Sequence, residues 1–299
     1  MKITRLTDPP PSGFASALSE FEKEFIYPLG QDSSFSISHG ADYSRFFRSI
    51  GEASIYIAEK EGRVLGTLVL IRRKIRLSDG GLVSAAYLCD AKVVANCRSG
   101  IVLGRLALTT LKDALNDGYQ SAFSVVMRGS LPADRYTGRL GIPKFSELCS
   151  LAILRIETTA IFPELGESEL LPDASYHRPT PGDLALSSQI SPMLVSVAGA
   201  SGTLTDTRKG KRLWQDNGSE MISAHLGGIE FSSFHSLTRL IREALQKAHD
   251  LGFPALFLAL PSELVSNTFD HRSGITVAHA SVYGSGLPSG SWMINTAEI

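Results

Sequence analysis

The turn at 96–100 places phosphate-binding chemistry directly before a predicted helix. Arg98 carries a guanidinium that can make charge-assisted hydrogen bonds to an anion. Ser99 and Gly100 follow it, and the apolar spacing predicts a helix over 101–116. Because the first amide N–H groups of a helix lack partners within the helix and lie at the positive end of its dipole, such a turn suits a phosphate group.

The cysteines, histidines and basic residues indicate weaker alternatives. Cys89 and Cys97 could act as nucleophiles, but neither has a histidine nearby in the sequence, and strand alternation makes Cys89 a core residue. The seven histidines have no cysteine or acidic partner at ligand spacing, so we predict no metal site. A basic cluster could steer an anion, although a solvated loop is the more common explanation: Arg208, Lys209, Lys211 and Arg212.

Composition excludes several classes of protein. The 299 residues carry a net charge of −1, which gives no bulk attraction to nucleic acid or to an anionic membrane. The apolar runs are strand length, far short of the roughly 20 residues that a membrane span needs. The N-terminus lacks an apolar signal-peptide core, and three cysteines suit a reduced compartment. We therefore predict a cytoplasmic protein that binds neither nucleic acid nor membrane.

Two segments of the chain are similar to each other at an offset of 134 residues. Residues 105–126 and 239–260 each read as a helix, a glycine before an aromatic residue, and a short apolar strand. The apolar stripes of the two helices match in register as well. A repeat this long implies two related domains rather than a solenoid.

The remaining pattern predicts an α/β (α+β) protein with two tandem domains, each a mixed, mostly antiparallel sheet flanked by helices. Residues 161–174 contain proline, glycine and acidic residues, which is typical of a linker. We therefore predict a first domain over 1–160, a linker over 161–174 and a diverged second domain over 175–299. Two β-rich runs flank Lys60, Glu61 and Gly62 and predict a hairpin. The pattern of residues 183–218 predicts neither a helix nor a strand, and the basic cluster within this segment is assigned to a loop.

Several motifs resemble, in the same order, those of the GNAT superfamily of acyl-CoA N-acyltransferases. The hairpin IYIAEKEGRVLGTLVL is similar to the family's hydrophobic–AE–x–x–G–x–hydrophobic–hydrophobic–G pair. The family's YLxDxxV strand and the arginine that follows it are matched by Tyr87, Leu88, Asp90, Val93 and Arg98. The segment RYTGRLGIPKF resembles the family's Tyr–x–x–x–Gly–aromatic segment. The resemblance covers about 54–157.

The resemblance implies an acyl-CoA donor, acetyl-CoA or another. The residues implied to hold its pantetheine arm and pyrophosphate are Val93, Val94, Arg98, Ser99, Gly100, Ile101 and Val102. The turn departs from the family's Arg–x–x–Gly–x–Gly/Ala run, because Gly100 lies one place early and Ile101 and Leu103 replace the glycines. Either the amides of Ser99 and Gly100 are free to bind phosphate, or Ile101 closes the site.

Two residues are catalytic candidates. The chemistry implied by the resemblance is direct attack of an amine on a thioester, which needs a route for the amine proton and a group that protonates the departing thiolate. Tyr136 is the implied thiolate partner, although its spacing to Gly141 is five rather than four, and a packing role is the alternative. Asp90 lies beside the expected acyl site and could relay a proton, while the corresponding aspartate of the family is more often structural.

The second copy keeps the fold pattern but loses the phosphate-binding residues. At the 134 offset, Arg98 and Ser99 become Ser232 and Ser233, which are typical helix N-caps.

The leading functional hypothesis is transfer of an acyl group, expected to be acetyl, from acyl-CoA to an amine of a small molecule or peptide. Two alternatives stay open. One is a non-catalytic protein that senses acyl-CoA or mediates interactions, and the other is an acyltransferase whose donor is an acyl-carrier protein.

Overall fold

Both halves of the chain contribute strands to one large mixed sheet. The computed structural model describes residues 1–29, 33–97, 100–164, 176–265 and 273–299. Its α-helices are α1 (Ser12–Glu22), α2 (Ser44–Ile50), α3 (Ile101–Asn116) and α4 (Phe234–Asp250). None of the helices in these ranges is both long and apolar enough to cross a membrane.

The strands of the first half are β1 (Lys2–Leu6), β2 (Tyr27–Leu29), β3 (Ser33–Ser38), β4 (Glu52–Lys60), β5 (Arg63–Arg76), β6 (Leu82–Val93), β7 (Ser121–Met127) and β8 (Ser146–Glu157). Those of the second half are β9 (Arg178–Pro179), β10 (Met193–Val197), β11 (Ala200–Thr205), β12 (Arg212–Gln215), β13 (Ala224–Phe231), β14 (Ala255–Pro261) and β15 (Ile275–Ser285). Three of them, β2, β3 and β12, form a separate small sheet.

The large sheet has the strand order β1-β4-β5-β6-β7-β15-β8-β14-β13-β11-β10, with β9 paired to β5. Its strand pairs are antiparallel except for β6–β7 and β13–β14, which are parallel. Antiparallel strands that follow each other in the chain can be joined by a short turn, whereas parallel ones need a crossover such as a helix. The helices α3 and α4 supply the two crossovers. The predicted mixed, mostly antiparallel α/β class is confirmed.

The two crossovers are the two copies of the repeat. Phe123 on β7 ends the parallel pairing of the first copy, opposite Tyr87, and Phe257 on β14 ends that of the second copy, opposite His225. The two phenylalanines are 134 residues apart, the offset at which the sequence segments align. The repeat is therefore present in the backbone as well as in the sequence.

The last strand of each half pairs with the other half. The strand β15 lies between β7 and β8, while β8 pairs with β14 on its other side. The two halves consequently share one continuous sheet. The domain limits at 160 and 175 stay a prediction, and residues 165–174 of the predicted linker lie outside the described residues.

The two faces of the first half are covered differently. The helix α3 packs Leu106 and Leu111 against one face, in a cluster with Leu70 of β5. The helices α1 and α2 cover the opposite face through Phe21 and Phe47. We call these two sides of the sheet the α3 face and the opposite face.

Candidate active site

A cavity of about 390 Å³ opens where β6 and β7 diverge. The parallel pairing of the two strands covers three residue pairs and ends at Tyr87 and Phe123. Beyond that point β6 stays paired with β5, and β7 stays paired with β15. Because each strand follows its outer neighbour, a gap opens between them, and the cavity lies in this gap.

The cavity reaches both faces of the sheet. Leu103 and Phe145 line it on the α3 face, and Phe35 and Phe257 line it on the opposite face. Most of the lining is aliphatic or aromatic, and the titratable groups are few: Tyr27, Tyr87, Cys89, Asp90, Lys92, Tyr136, Lys211 and His225. A mostly apolar cavity with a few convergent polar groups is the usual form of a small-molecule site.

Both predicted catalytic residues line this cavity. Tyr136 lies in the loop after β7 and packs with the cluster on the α3 face. The loop is held by Thr137, whose hydroxyl donates to the Ala133 carbonyl at 2.7 Å and accepts from the Phe145 amide at 3.0 Å. Burial raises the pKa of Tyr136, so its phenol remains protonated at neutral pH and can donate a hydrogen bond into the cavity.

Asp90 lies in a β-bulge at the point where the two strands diverge. Between the pairs Thr67–Lys92 and Val69–Cys89, β6 has two residues and β5 has one. Asp90 takes the left-handed conformation, with φ of 51°, which is uncommon for a residue other than glycine. Bulges re-aim side chains next to functional sites, and this one turns the carboxylate of Asp90 towards buried partners.

The carboxylate of Asp90 already has three partners. Its Oδ1 is 2.7 Å from the Lys92 ammonium, and its Oδ2 accepts hydrogen bonds from the hydroxyls of Tyr43 and, at 3.2 Å, Thr67. Burial by itself would raise the pKa of Asp90, but the charge of Lys92 and these hydrogen bonds outweigh it and lower the pKa. The carboxylate is therefore held ionised, which disfavours it as a proton acceptor.

Lys92 extends this network into the protein. Its ammonium is also 3.7 Å from a carboxylate oxygen of Glu22, and Glu22 in turn accepts from the main-chain N–H of His39 at 3.0 Å and contacts its imidazole. Burial opposes the charge of Lys92, but Asp90, Tyr27 and Glu22 raise its pKa overall. Lys92 is therefore a charged lysine whose burial is compensated by the carboxylates of Asp90 and Glu22.

Lys211 is the cavity residue whose position the sequence did not predict. Its side chain is buried, lies 4.2 Å from the ring centroid of Phe46 and donates a hydrogen bond to the main-chain oxygen of Ile299. Burial lowers the pKa of Lys211 to about 7, with smaller opposing contributions from Cys89 and Asp90 and a further lowering by Lys92.

Two arginines of the basic cluster, Arg208 and Arg212, are engaged in structural contacts, whereas Lys209 is exposed. Arg208 donates to the buried carboxylate of Asp206 at 2.6 Å and lies over the ring of Phe253, and Arg212 is 3.7 Å from Glu220. The prediction of a solvated basic loop is therefore wrong for Lys211 and Arg208. The pattern KGKRLW gives a weak signal for a strand, since Leu213 and Trp214 follow the basic residues, but no local signal for the burial of a lysine.

Two further polar cavity residues are uncharged. Burial raises the pKa of Cys89 well above its ordinary value, so the thiol is protonated and is a poor nucleophile. Burial, with a smaller contribution from Lys211, lowers the pKa of His225 to about 3. The imidazole of His225 is 2.9 Å from the hydroxyl of Thr296 and stacks with Phe257.

The predicted phosphate-binding turn lies at the N-terminal end of α3. Gly100 takes φ of 87° there, a left-handed conformation that favours glycine, and open space surrounds the position of its missing Cβ. Ile101 is 66% exposed, so its side chain points away from the core at this turn. Arg98 and Ser99 lie outside the described residues.

The other described residues that are predicted to bind the cofactor have side chains that pack into the protein. Val94 is fully buried, and its amide donates to the Leu65 carbonyl at 3.0 Å. The Val102 side chain is buried against β5, so the main chain is the part of this residue that faces the turn. Val93 packs against the α3-face cluster at the end of β6.

The equivalent gap in the second half is filled by the chain itself. The pairing of β13 and β14 covers two residue pairs, and the segment 295–299 lies beside it. Thr296 contacts His225 there, and the Asn295 side chain occupies the place where a Cβ on Gly227 would lie. The α4 N-terminus has a capping box formed by Ser233 and Ser236, as predicted for Ser233.

Comparison with known proteins identifies the fold. No family model and no curated protein sequence matches the chain. Two structures of Saccharomyces cerevisiae N-myristoyltransferase with bound myristoyl-CoA superpose on it with TM-scores of 0.57 and 0.60, at 9% and 10% identity. They cover 94% and 96% of this chain, and 82% and 79% of the respective N-myristoyltransferase chain.

This similarity extends over both halves of the chain and therefore includes the shared sheet and both divergent strand pairs. At this level of identity it establishes the fold. The chain has the fold found in N-myristoyltransferase.

Proposed function

We propose that this protein transfers an acyl group from acyl-CoA to an amine of a small molecule or peptide. The observation that carries the proposal is the cavity in the gap between β6 and β7, which passes through the sheet beside α3. A protein of the same fold, N-myristoyltransferase, matches both halves of this chain and was crystallised with myristoyl-CoA bound.

The phosphates of the donor are proposed to bind at the N-terminal end of α3. The left-handed Gly100 and the exposed side chain of Ile101 leave this turn accessible, and the first amides of the helix have no partner within it. Arg98 is proposed to add a charge-assisted contact. From this turn the pantetheine arm would enter the gap on the α3 face, where Leu103 and Tyr136 line the cavity.

The cavity favours an acyl chain longer than the acetyl group expected from the sequence. A volume of about 390 Å³ lies in the range that holds a whole small-molecule ligand, and two carbons would fill little of it. Its apolar lining would bury a hydrocarbon chain at a gain of about 0.8 kcal/mol per CH₂ group.

The roles of the two predicted catalytic residues follow from where they lie. Tyr136, on the α3 face with a protonated phenol, is proposed to protonate or solvate the departing thiolate. Asp90, held by Lys92, Tyr43 and Thr67, is proposed to keep the bulge in place rather than to move a proton itself.

The test is donor binding, measured as thermal stabilisation by CoA, acetyl-CoA, octanoyl-CoA and myristoyl-CoA. Ligand at a hundred times its dissociation constant stabilises a native site by about 2.7 kcal/mol. We expect a shift with every CoA species, and the largest shift with a chain longer than acetyl.

The variant Ile101→Glu places a carboxylate in the first turn of α3, where an acid is favourable to the helix by about 0.3–1 kcal/mol, so the fold is retained. We expect it to weaken CoA binding at least tenfold by repelling the phosphates, whereas the neutral control Ile101→Gln should bind as the wild type does. Equal affinity in all three proteins would refute this placement of the phosphates. Stabilisation by none of the CoA species would refute an acyl-CoA donor and favour a carrier-protein donor, and binding without transfer would favour the non-catalytic alternative.

A further inference from the structure

The outer surface of α3 carries leucines that the described part of the chain leaves exposed to water. Leu108 and Leu115 are 38% and 55% exposed, and their spacing of seven residues places them in one row along the helix. Leu140, which is 78% exposed, lies beside this row, because a Cβ on its neighbour Gly141 would be 3.8 Å from the Leu108 side chain. The three leucines therefore belong to one surface.

Basic side chains lie between the leucines on this surface. Arg105 and Lys112 are exposed positions of α3 on either side of Leu108, and the exposed Arg139 directly precedes Leu140. Among the described residues, no carboxylate oxygen lies within 4.0 Å of any of these three charges, since the aspartates near them pair elsewhere. We call the following six residues the α3 patch: Arg105, Leu108, Lys112, Leu115, Arg139 and Leu140.

The acidic residues nearest to the α3 patch along the helix are held by other partners. Asp113 is 3.3 Å from the Arg5 guanidinium, and Asp117 pairs with Arg72. The loop that follows β7 adds to the positive charge, because residues 128–145 contain four basic residues and one acidic residue. The surface is thus locally cationic, although the net charge of the whole chain, from which the sequence predicted no membrane binding, is −1.

The second copy of the repeat shows that the exposed leucines are particular to α3. At the offset of 134 residues, Leu108 and Leu115 correspond to Arg242 and His249 of α4, which are also exposed. The buried rows of the two helices correspond in register, whereas their outer rows differ in polarity. Packing of the helix onto its sheet therefore does not require the leucines.

Leucines interspersed with lysine and arginine on one exposed surface fit an anionic lipid bilayer. The leucines can enter the boundary between head groups and acyl chains, while the long basic side chains reach the anionic head groups. A protein partner fits less well, because protein interfaces have an apolar centre with few charges and are enriched in aromatic residues. The α3 patch has charges between its leucines and has no aromatic residue.

The α3 patch also lies next to the place where the cavity meets solvent. Leu131 lines the cavity, is 62% exposed and belongs to the same loop as Arg139 and Leu140. Ala107 and Leu111, which flank the outer row of α3, line the cavity from the helix. A bilayer on the α3 patch would therefore lie beside the mouth of the cavity.

We propose that the α3 patch binds the surface of an anionic lipid bilayer. Each lysine or arginine near such a surface strengthens binding about fivefold, and each leucine that enters the interface strengthens it about tenfold or more. The contact is peripheral, because the three leucines lie on one outer surface of a folded helix and loop. It does not depend on acyl transfer, since none of the six residues lines the cavity.

The experiment is co-sedimentation of the whole chain, without CoA, with two kinds of vesicle. One kind is phosphatidylcholine alone, and the other is phosphatidylcholine and phosphatidylserine in equal parts. Two double variants test the α3 patch: Leu115→Gln with Leu140→Gln removes apolar contacts, and Lys112→Gln with Arg139→Gln removes charges. Both replace exposed side chains, and circular dichroism verifies that they keep the fold.

Matched control variants replace exposed residues of the second half. Leu194→Gln with Leu251→Gln removes two leucines that are 67% and 47% exposed. Lys209→Gln with Arg239→Gln removes two exposed charges, and Arg239 is the counterpart of Arg105 in the repeat. A further arm offers polyglutamate in place of vesicles, which separates an acidic polypeptide from a lipid surface.

We expect the wild type to bind the mixed vesicles, to bind pure phosphatidylcholine on the order of 100-fold more weakly, and to lose affinity with added salt. The leucine variant should bind the mixed vesicles at least tenfold more weakly, the charge variant about 25-fold more weakly, and the controls as the wild type does. Absence of binding to the mixed vesicles, or equal binding by the patch variants and the wild type, would overturn the proposal. Binding to polyglutamate but not to vesicles would assign the α3 patch to an acidic protein and would also overturn it.

Calorimetry with octanoyl-CoA keeps this proposal separate from the proposed function. The leucine variant should bind octanoyl-CoA as the wild type does, because Leu115 and Leu140 lie outside the cavity lining. A wild type that binds the mixed vesicles but no CoA species would refute the acyl-CoA donor and leave the membrane contact standing. Loss of octanoyl-CoA affinity in the leucine variant, with vesicle binding unchanged, would assign these leucines to the donor site and overturn the membrane contact.

Discussion

Replacement of Lys211 by methionine should change how the stability of the protein depends on pH. The folded-state pKa of Lys211 lies at about 7, below its ordinary value of 10.5. Between these two values the unfolded chain carries the proton and the folded chain does not, so unfolding takes up a proton. The free energy of unfolding therefore rises with pH in this window, and Lys211→Met removes that contribution.

The size of the effect follows from the shift. A difference of 10.5 − 7, or about 3.5 pKa units, corresponds to roughly 5 kcal/mol at about 1.4 kcal/mol per unit. This is the cost of folding with a charged Lys211, and it is present in full below the folded-state pKa. As the pH rises from about 6 to about 9, about half of the cost, roughly 2.5 kcal/mol, is removed from the wild type but not from the variant.

The assay is urea denaturation of wild type and Lys211→Met at about pH 6, 7, 8 and 9. The difference between their free energies of unfolding isolates Lys211, because Asp90 and Lys92 stay charged and Cys89 and His225 stay uncharged across this range. The free energy of unfolding of Lys211→Met should exceed that of the wild type by the largest amount at about pH 6. This difference should decrease as the pH rises. A difference that stays constant from pH 6 to 9 would show that Lys211 does not titrate in this range and would refute the reasoning.

Two further predictions test the site and its surroundings. Tyr136→Phe should lower the rate of acyl transfer on the order of 100-fold while octanoyl-CoA affinity, measured by calorimetry, stays unchanged; an unchanged rate would assign Tyr136 to packing. Gly227→Ala should destabilise the protein by about 1–3 kcal/mol, because the added methyl group overlaps the Asn295 side chain. The control Gly104→Ala lies within α3 with open space around its Cβ and should stabilise the protein by up to about 1 kcal/mol. Urea denaturation measures both, and a change of the same sign in the two variants would contradict the packing argument.

Local pattern was sufficient to predict the elements around the gap. The helix α3 spans the predicted residues 101–116, and β7 follows it as the short apolar strand that the repeat predicts. The hairpin turn predicted at 60–62 forms with Glu61 and Gly62 both at positive φ, the geometry that matches the twist of paired strands. These features depend on neighbours within one or two turns of the chain, so the sequence alone carries them.

The pairing of the two halves depended on the tertiary structure. The sequence showed two copies of a unit, but it did not show that β15 lies between β7 and β8, or that the segment 295–299 fills the second gap. The pairings of β15 join residues more than a hundred positions apart, and Thr296 contacts His225 across 71 positions. Many registers satisfy the same alternation of apolar and polar residues, so packing of the whole chain selects among them.

The candidate site also combines residues that the sequence predicts with one whose burial depends on the tertiary structure. Motif spacing predicts Asp90 and Tyr136 as site residues, and both line the cavity. The sequence pattern assigns Lys211 to a solvated basic loop, because a lysine among arginines and lysines in a polar stretch is usually exposed to water. Its burial arises from α2, β6 and β13, which reach it from other parts of the sequence and remove the water around it. The sequence determines residue types and their local spacing. The desolvation that changes the chemistry of a buried group depends on the tertiary structure, because it is caused by all the elements that pack around that group.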